Sequence, residues 1–300
     1  MSEDPHWPRA SEWLAGSHAP HPRRRLAVLG VPLHLGSISP SRADLAPAAI
    51  REALGRYSTW DGETRGDIEV VAAEDHGDLP LADVAPDDAL DSVVAAMQGL
   101  DAHALVLLGG DNSVTRPGVH GLGVPLDRLG LLTLDAHFDL RETDGGMRNG
   151  NPVRALLEDG LPGENVVQIG IQPFANSPMH AEVAQEAGIT FVLAGEVRSR
   201  GIGAVLTEAL EHLDARADSI YLDVDVDVLD RGFAPATPGS RPGGLAPWEI
   251  RRAARLAGRH PKVRAVDLVE IDPTVDVADV TTLAAAATLL AFAAGLAARS

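Results

Sequence analysis

Two short segments hold most of the residues able to do chemistry. In Leu132-Thr-Leu-Asp-Ala-His-Phe-Asp-Leu-Arg141, the residues Asp135, His137 and Asp139 put two carboxylates and an imidazole within five positions. In extended backbone the three side chains point the same way. Carboxylate oxygen mixed with imidazole nitrogen suits a hard divalent cation with catalytic duties. A polar strand end with solvated aspartates and a hydrogen-bonded histidine is the other reading of this segment alone. In Asp223-Val-Asp-Val-Asp-Val-Leu-Asp230, carboxylate alternates with valine, so one strand face would carry Asp223, Asp225 and Asp227. Like charges that close raise one another's pKa unless a cation neutralises them. A solvated edge strand could carry them too, at a cost in an otherwise apolar run. Together the segments support a carboxylate-rich site for one or two metal ions. Two ions about 3.5–4 Å apart, sharing a bridging carboxylate, would generate hydroxide at neutral pH.

The elements that must position these residues alternate along the chain. Strands are expected over Arg25–Val31, Ile68–Ala73, Ala104–Leu108, Gly130–Leu134, Asn165–Ile171, Thr190–Leu193, Ser219–Val224 and Val263–Val269. Helical patterns lie between most of them: Pro47–Leu54, Asp87–Leu100, Pro152–Glu158, Met179–Ala187, Ala204–Leu213 and Pro247–Leu256. Pro-Asp-Asp at 86–88 and Ala-Pro-Trp-Glu at 246–249 read as helix starts. Consecutively apolar strands joined by helices indicate a parallel sheet covered on both faces, an α/β fold wound as one domain. Residues 1–24 are set apart as a polar extension, and residues 25–300 form the domain. Such sheets place working groups at the carboxyl ends of their strands. Four polar clusters fall there: Gly109-Gly-Asp-Asn112, Asp135 to Asp139, Asp223 to Asp230, and Glu270-Ile-Asp272.

Composition narrows the possible roles. Asp and Glu number 43 against 25 Lys and Arg, a formal charge of −18 that disfavours nucleic-acid backbones and anionic membranes as partners. Without cysteine, disulfides and thiolate metal sites are excluded. Met1 to His21 is polar and rich in Pro and His, with no apolar stretch of a signal peptide, and a cytoplasmic location is expected. The Ala-rich run Leu283 to Ala298 is short for a bilayer and reads as a buried terminal helix. His34, His76, His103, His120, His180, His212 and His260 are scattered without ligand spacing and read as structural or surface residues. Gly109-Gly110 lacks the Gly-Lys-Ser/Thr ending of a phosphate loop.

At these residues the chain resembles the ureohydrolase (arginase/agmatinase) superfamily over roughly residues 25–296. The Asp-Ala-His-x-Asp motif is met by Asp135, His137 and Asp139. The Asp-x-Asp-x-x-Asp block with a following Phe-x-Pro is met by Asp225, Asp227, Asp230 and Phe233-Ala-Pro235. Glu270, Pro273 and Asp276 meet Glu-x-x-Pro-x-x-Asp, and Gly30-Val-Pro32 and the Asp75-His-Gly-Asp78 loop also fit. The resemblance implies a three-layer α/β/α fold, with a mostly parallel eight-stranded sheet and two manganese ions at its carboxyl edge. Asp135 and Asp225 would bridge the ions, His137, Asp139 and Asp227 would complete the shells, and a metal-activated hydroxide would attack an amidine carbon. Glu270 would hold the cationic amidinium, and Thr237 would line the substrate pocket. Trimers or hexamers of the chain are expected on the same ground.

Two positions depart from that pattern. The block Gly-Gly-Asp-His reads Gly110-Asp-Asn112 here, so an expected imidazole ligand is an amide, able to coordinate through its carbonyl oxygen but more weakly. Asn149, in Asn149-Gly-Asn-Pro152, replaces the proton-shuttling histidine of arginases and cannot transfer a proton near pH 7. Several segments are most similar to the formimidoylglutamases: Asp139-Leu-Arg141, the Asn149 loop, Phe233-Ala-Pro235 with Pro242-Gly-Gly244, and Asp267-Leu-Val-Glu-Ile-Asp-Pro273. Arg141 matches the position where arginases carry the residue that holds the substrate α-carboxylate, and a guanidinium there can bind a carboxylate as a bidentate fork. Arg148 is a second candidate, with a surface role equally open. The expected reaction is hydrolysis of N-formimino-L-glutamate to L-glutamate and formamide. The rivals are another ureohydrolase activity, on agmatine or a guanidino acid, and a non-catalytic relative that binds metal or metabolite.

Overall fold

A computed structural model of the chain describes residues 6–16 and 22–299. The apolar runs come together in one eight-stranded sheet, numbered here in chain order: β1 (Arg24–Val31), β2 (Val71–Asp78), β3 (Ala104–Gly109), β4 (Leu129–Leu134), β5 (Val166–Ile171), β6 (Thr190–Leu193), β7 (Ser219–Asp225) and β8 (Val263–Val269). Their order across the sheet is β2-β1-β3-β8-β7-β4-β5-β6. Every neighbouring pair runs parallel. β3, β4 and β7 are buried along their whole length. Successive side chains on a strand enter opposite layers, so a sheet covered on both faces needs apolar residues at consecutive positions. Leu26 and Val28 enter one core, Ala27 and Leu29 the other.

The helices are α1 (Ala10–Leu14), α2 (Ala46–Ala53), α3 (Pro86–Gln98), α4 (Thr115–Gly121), α5 (Pro152–Asp159), α6 (Pro178–Ala187), α7 (Ala194–Arg200), α8 (Ile202–Asp214), α9 (Pro247–Arg259) and α10 (Val280–Ala297). Helices α3 to α6 supply Val93, Val119, Leu156 and Ala184 to one core. Helices α2, α8, α9 and α10 supply Ile50, Leu206, Ile250 and Phe292 to the other. The result is the expected three-layer α/β/α architecture. Pro86 and Pro247 occupy first helical positions, where their missing N–H costs nothing.

Two expectations are corrected. Residues Ile68–Val70 form a 3-10 turn capped by Asp67 rather than a strand. β2 starts at Val71 and runs on through Asp75-His-Gly-Asp78, which was expected to be a loop. As an edge strand β2 has one neighbour, so its outer half can be polar and exposed, and Arg51 of α2 holds it by pairing with Asp75 and Asp78. Part of the N-terminal segment is also more than a polar extension. Trp13 of α1 is fully buried and its indole Nε1 donates to Val71 O at 2.8 Å. Helix α10 is apolar and long enough to cross a bilayer by composition, yet most of it is buried, packed on α9 and α2. The carboxylate of Asp276 accepts from the backbone N–H groups of Thr281 and Thr282 in its first turn.

The four central strands β3, β8, β7 and β4 are consecutive neighbours, and the four polar clusters follow those four strands. Their ends lie level, with Leu134 beside Val224 and Val269 beside Asp225. One stretch of the rim therefore collects every cluster.

Candidate active site

The rim segments leave the extended conformation, which changes how the carboxylates converge. β4 ends at Leu134, and Asp139 adopts a left-handed φ of 52°. Turning, not strand alternation, brings Asp135, His137 and Asp139 together. Asn176, beyond β5, braces the turn: its Oδ1 accepts from Phe138 N at 2.9 Å and its Nδ2 donates to Ala136 O at 3.0 Å. β7 likewise ends at Asp225, and Asp227 lies in a 3-10 turn where its N–H donates to Asp225 Oδ1 at 2.8 Å. Asp223, expected on the same face as these two, is fully buried inside the sheet, where Asp267 is its charged neighbour. Asp267 in turn accepts from the Tyr221 hydroxyl at 2.8 Å and lies 2.9 Å from that of Thr115.

Asp135, His137 and Asp227 each offer a ligand atom, all within 4.8 Å of one another. His137 Nδ1 is 2.9 Å from Asp227 Oδ2 and 3.5 Å from Asp135 Oδ1. Burial and Asp227 push Asp135 up to about 6. Burial, then Asp227 and Asp135, push Asp225 well above the usual carboxylate range, and burial with Asp135 does the same to Asp139. At Asp227 burial is outweighed by the His137 imidazole, so its pKa falls. His137 is raised to about 11, because the attraction of Asp227 and Asp135 outweighs its own burial. Asp135 Oδ2 is buried without a hydrogen-bond partner. An orphaned carboxylate oxygen amid mutually repelling carboxylates is what a bound cation corrects, and the O and N donors suit manganese-like ions.

Gly239 closes the loop over this cluster. A Cβ there would lie 1.9 Å from Asp227 Oδ2 and 3.1 Å from His137 Cε1, so no other residue fits. On the other side, Gly110 lets β3's end pass Leu33, whose O would lie 1.7 Å from a Cβ.

Glu270 follows β8 with a left-handed φ of 67°, its N–H donating to Gly110 O. Its Oε1 accepts from Asn112 N at 2.8 Å and from Asn149 Nδ2 at 3.0 Å. Burial and Asp111 push its carboxyl up to about 8, against those two donors. Asn112 presents its amide Nδ2 to Asp139 Oδ2 at 2.6 Å, while its Oδ1 accepts from the Thr115 hydroxyl at 2.7 Å. The expected carbonyl ligand thus faces away from the carboxylates. Thr115 also lies 2.9 Å from Asp267 Oδ2, and one hydroxyl proton cannot serve both acceptors. Turning the Asn112 amide over would let Nδ2 donate to Thr115 and Thr115 donate to Asp267. It would also set Asn112 Oδ1 against Asp139, an oxygen pair that needs a cation or a proton between them.

A cavity of about 430 Å³ opens onto the cluster. Asp139, Asp225, Asp227 and Glu270 form its acidic part, with His137 among them. Arg141 and Asn149 line its wall. Asp135 lies beneath it, fully buried. Arg148 and Thr237 do not line it. Arg148 is exposed, with its N–H on Asn151 Oδ1, and Thr237 is buried with Oγ1 accepting from Ser240 N. His180, grouped by sequence with the structural histidines, does line the cavity. Burial and the nearby Arg141 lower its pKa. Arg241 also lines it and was missed, since a single arginine in a Pro- and Gly-rich loop has no pattern to betray it.

With this geometry the comparisons with known proteins agree. The arginase family model matches residues 24–295. Formimidoylglutamase of Halalkalibacterium halodurans is 35% identical over 274 residues, spanning 89% of this chain and 86% of its own. That of Bacillus subtilis is 34% identical over 88% of this chain and 85% of its own. The crystal structure of the Bacillus subtilis formimidoylglutamase superposes with a TM-score of 0.91 at 30% identity, covering 100% of this chain and 95% of that one. A Trypanosoma cruzi formiminoglutamase with Mn2+ shares the fold, with a TM-score of 0.88 at 24% identity over 98% of this chain and 100% of that one. The chain belongs to the arginase family.

Proposed function

We propose that the chain hydrolyses N-formimino-L-glutamate to L-glutamate and formamide. The observation that carries this reading is one cavity with an acidic floor for a cationic amidine and the Arg141 guanidinium on its wall for a carboxylate. Agmatine, which has a cationic tail and no carboxylate, gains nothing from Arg141. The most similar relatives named above, formimidoylglutamases, support the same substrate.

The ligand set is Asp135, His137, Asp139, Asp225 and Asp227, with Asn112 as a sixth group once its amide is turned. The manganese bound by the Trypanosoma cruzi relative supports that metal, in one or two positions. When bound there, divalent cations lower the pKa of water to near neutrality and polarise the amidine. The chain's own groups do the rest. Two donors fix Glu270 Oε1, leaving Oε2 to accept from the amidinium N–H groups. Asn149 has no titrating proton. Asp139, as a ligand, carries none, and Glu270, pushed up to about 8 by burial, can take a proton from the amidinium it accepts and pass it to the departing amine. The same reading makes the enzyme a cytoplasmic trimer or hexamer acting in histidine degradation.

The test is release of formamide and L-glutamate from N-formimino-L-glutamate, with and without added manganese. Agmatine and a guanidino acid are assayed in parallel for urea. Manganese-dependent formamide release is expected. Urea release instead would reassign the substrate, and binding without turnover on any of them would leave a non-catalytic relative.

A further inference from the structure

We propose that Arg241 is a specificity-determining residue that binds the substrate carboxylate nearer the scissile carbon, leaving the farther one to Arg141. This rests on the formiminoglutamate reading above. Both arginines line the acidic cavity. Among the described residues neither guanidinium reaches a carboxylate. Elsewhere in the chain Arg42, Arg51, Arg116 and Arg255 are each held by an aspartate, whereas these two face the cavity without one. Two unpaired guanidiniums on the wall of one cavity match a ligand with two carboxylates.

The backbone on either side of Arg241 is fixed while its side chain stays exposed. Gly239 is pressed against Asp227, and Ser240 Oγ donates to Ala234 O at 2.7 Å. Arg241 O accepts from Arg231 N at 3.1 Å. The guanidinium contacts Gly239 O and, through Nη1 at 2.9 Å, His137 Nε2. A guanidinium has donors only, so Nε2 can accept it only while the ring proton sits on Nδ1. With Nδ1 as a ligand, Nε2 carries the proton, two donors face each other, and Arg241 must find an acceptor elsewhere. The cavity it lines is where a substrate carboxylate supplies one.

Position assigns the two carboxylates. Arg241 touches His137, at the cluster where the amidine carbon reacts. The Arg141 guanidinium makes no such contact with the cluster among the described residues: it lies by Gly150, where a Cβ would be 2.8 Å from its Cδ, and is the charged neighbour of His180. In formiminoglutamate the α-carboxylate carbon is three bonds from the amidine carbon and the γ-carboxylate carbon is five. The near arginine therefore takes the α-carboxylate.

The experiment compares Arg241→Met, Arg241→Lys and Arg141→Met, as manganese-loaded full chains, on three substrates. These are N-formimino-L-glutamate, N-formimino-4-aminobutyrate, which lacks the α-carboxylate, and N-formimino-L-2-aminobutyrate, which lacks the γ-carboxylate. Arg241→Met should raise KM at least about tenfold on the two substrates that carry the α-carboxylate and leave it unchanged on the 4-aminobutyrate compound. Arg241→Lys, keeping charge without the fork, should fall between. Arg141→Met should raise KM on the two compounds with a γ-carboxylate only. An equal rise on all three substrates, or a change confined to kcat, would overturn the assignment. Wild-type protein that releases no formamide would instead overturn the formiminoglutamate reading. Competitive binding of L-glutamate against 4-aminobutyrate then decides Arg241: loss of the preference for L-glutamate in Arg241→Met upholds it, and a preference that persists sinks it.

Discussion

Glu270 combines two costs, a left-handed backbone and a buried carboxyl, and neither is repaid by packing. Its carboxyl ordinarily titrates near 4.5 and is pushed up to about 8 in the fold. Between those values the folded chain keeps a proton that the unfolded chain releases, so this group's contribution to stability falls as pH rises. Replacing it with glutamine removes the titration and keeps the shape. Glu270→Gln should lower kcat/KM by about two orders of magnitude, as expected when a charged partner of the amidinium is lost. The metal-free variant should melt above metal-free wild type at pH 8 and level with it near pH 4.5. A variant that melts lower at pH 8 would mean the charge supports the fold. Sequence alone identified this residue, and likewise the rim carboxylates, because they lie in short contiguous motifs. It grouped Asp223 with the rim, though that residue lies two positions inside the end of β7, beside Asp267, and it missed Arg241 and His180, which reach the cavity singly, one from a loop and one from the first turn of α6.

At the scale of elements, the strands were legible because sheet burial on both faces leaves unbroken apolar runs, and all but β2 lie within a residue or two of expectation. Helices α1, α4 and α7 were not legible: five to seven residues are too few for a 3.6-residue period to show. The composition of α10 gave burial but not its reason for glycine. A Cβ on Gly295 would lie 2.1 Å from Arg255 O in α9, and one on Gly258 of α9 would lie 2.2 Å from Phe292 O in α10. The two helices therefore meet at backbone contact, which only tertiary structure reveals. Gly295→Ala should force them apart and destabilise the chain by roughly 1–3 kcal/mol, the usual cost of overpacking. The contact lies by the end of α9, just before β8 begins, whereas the site lies at the carboxyl ends of the central strands, so KM should not move. Chemical denaturation beside steady-state kinetics checks both, and an unchanged denaturation midpoint would show that the helix pair can slide.

For the whole molecule, the site and the fold share a free-energy balance through protons. Burial and Asp227 place Asp135 at about 6, and burial and Asp111 place Glu270 at about 8, both above their unfolded values. Each therefore takes stability away as pH rises through its window. His137 is raised from 6.5 to about 11, so the stability it adds is complete below 6.5 and is lost as pH climbs toward 11. All three act in one direction, and the metal-free chain should weaken steadily from pH 5.5 to 8. Cations at the cluster need those groups deprotonated, so they bind more tightly as pH rises and return the stability that the carboxylates withdraw. The gap between melting temperatures in manganese and in chelator should widen across that range. Self-repulsion from the −18 net charge also grows with pH, but it acts on both forms and largely cancels in the gap. A gap that stays constant from pH 5.5 to 8 would mean that the clustered carboxylates are not where the metal binds, and the ligand set proposed for this site would fall with it.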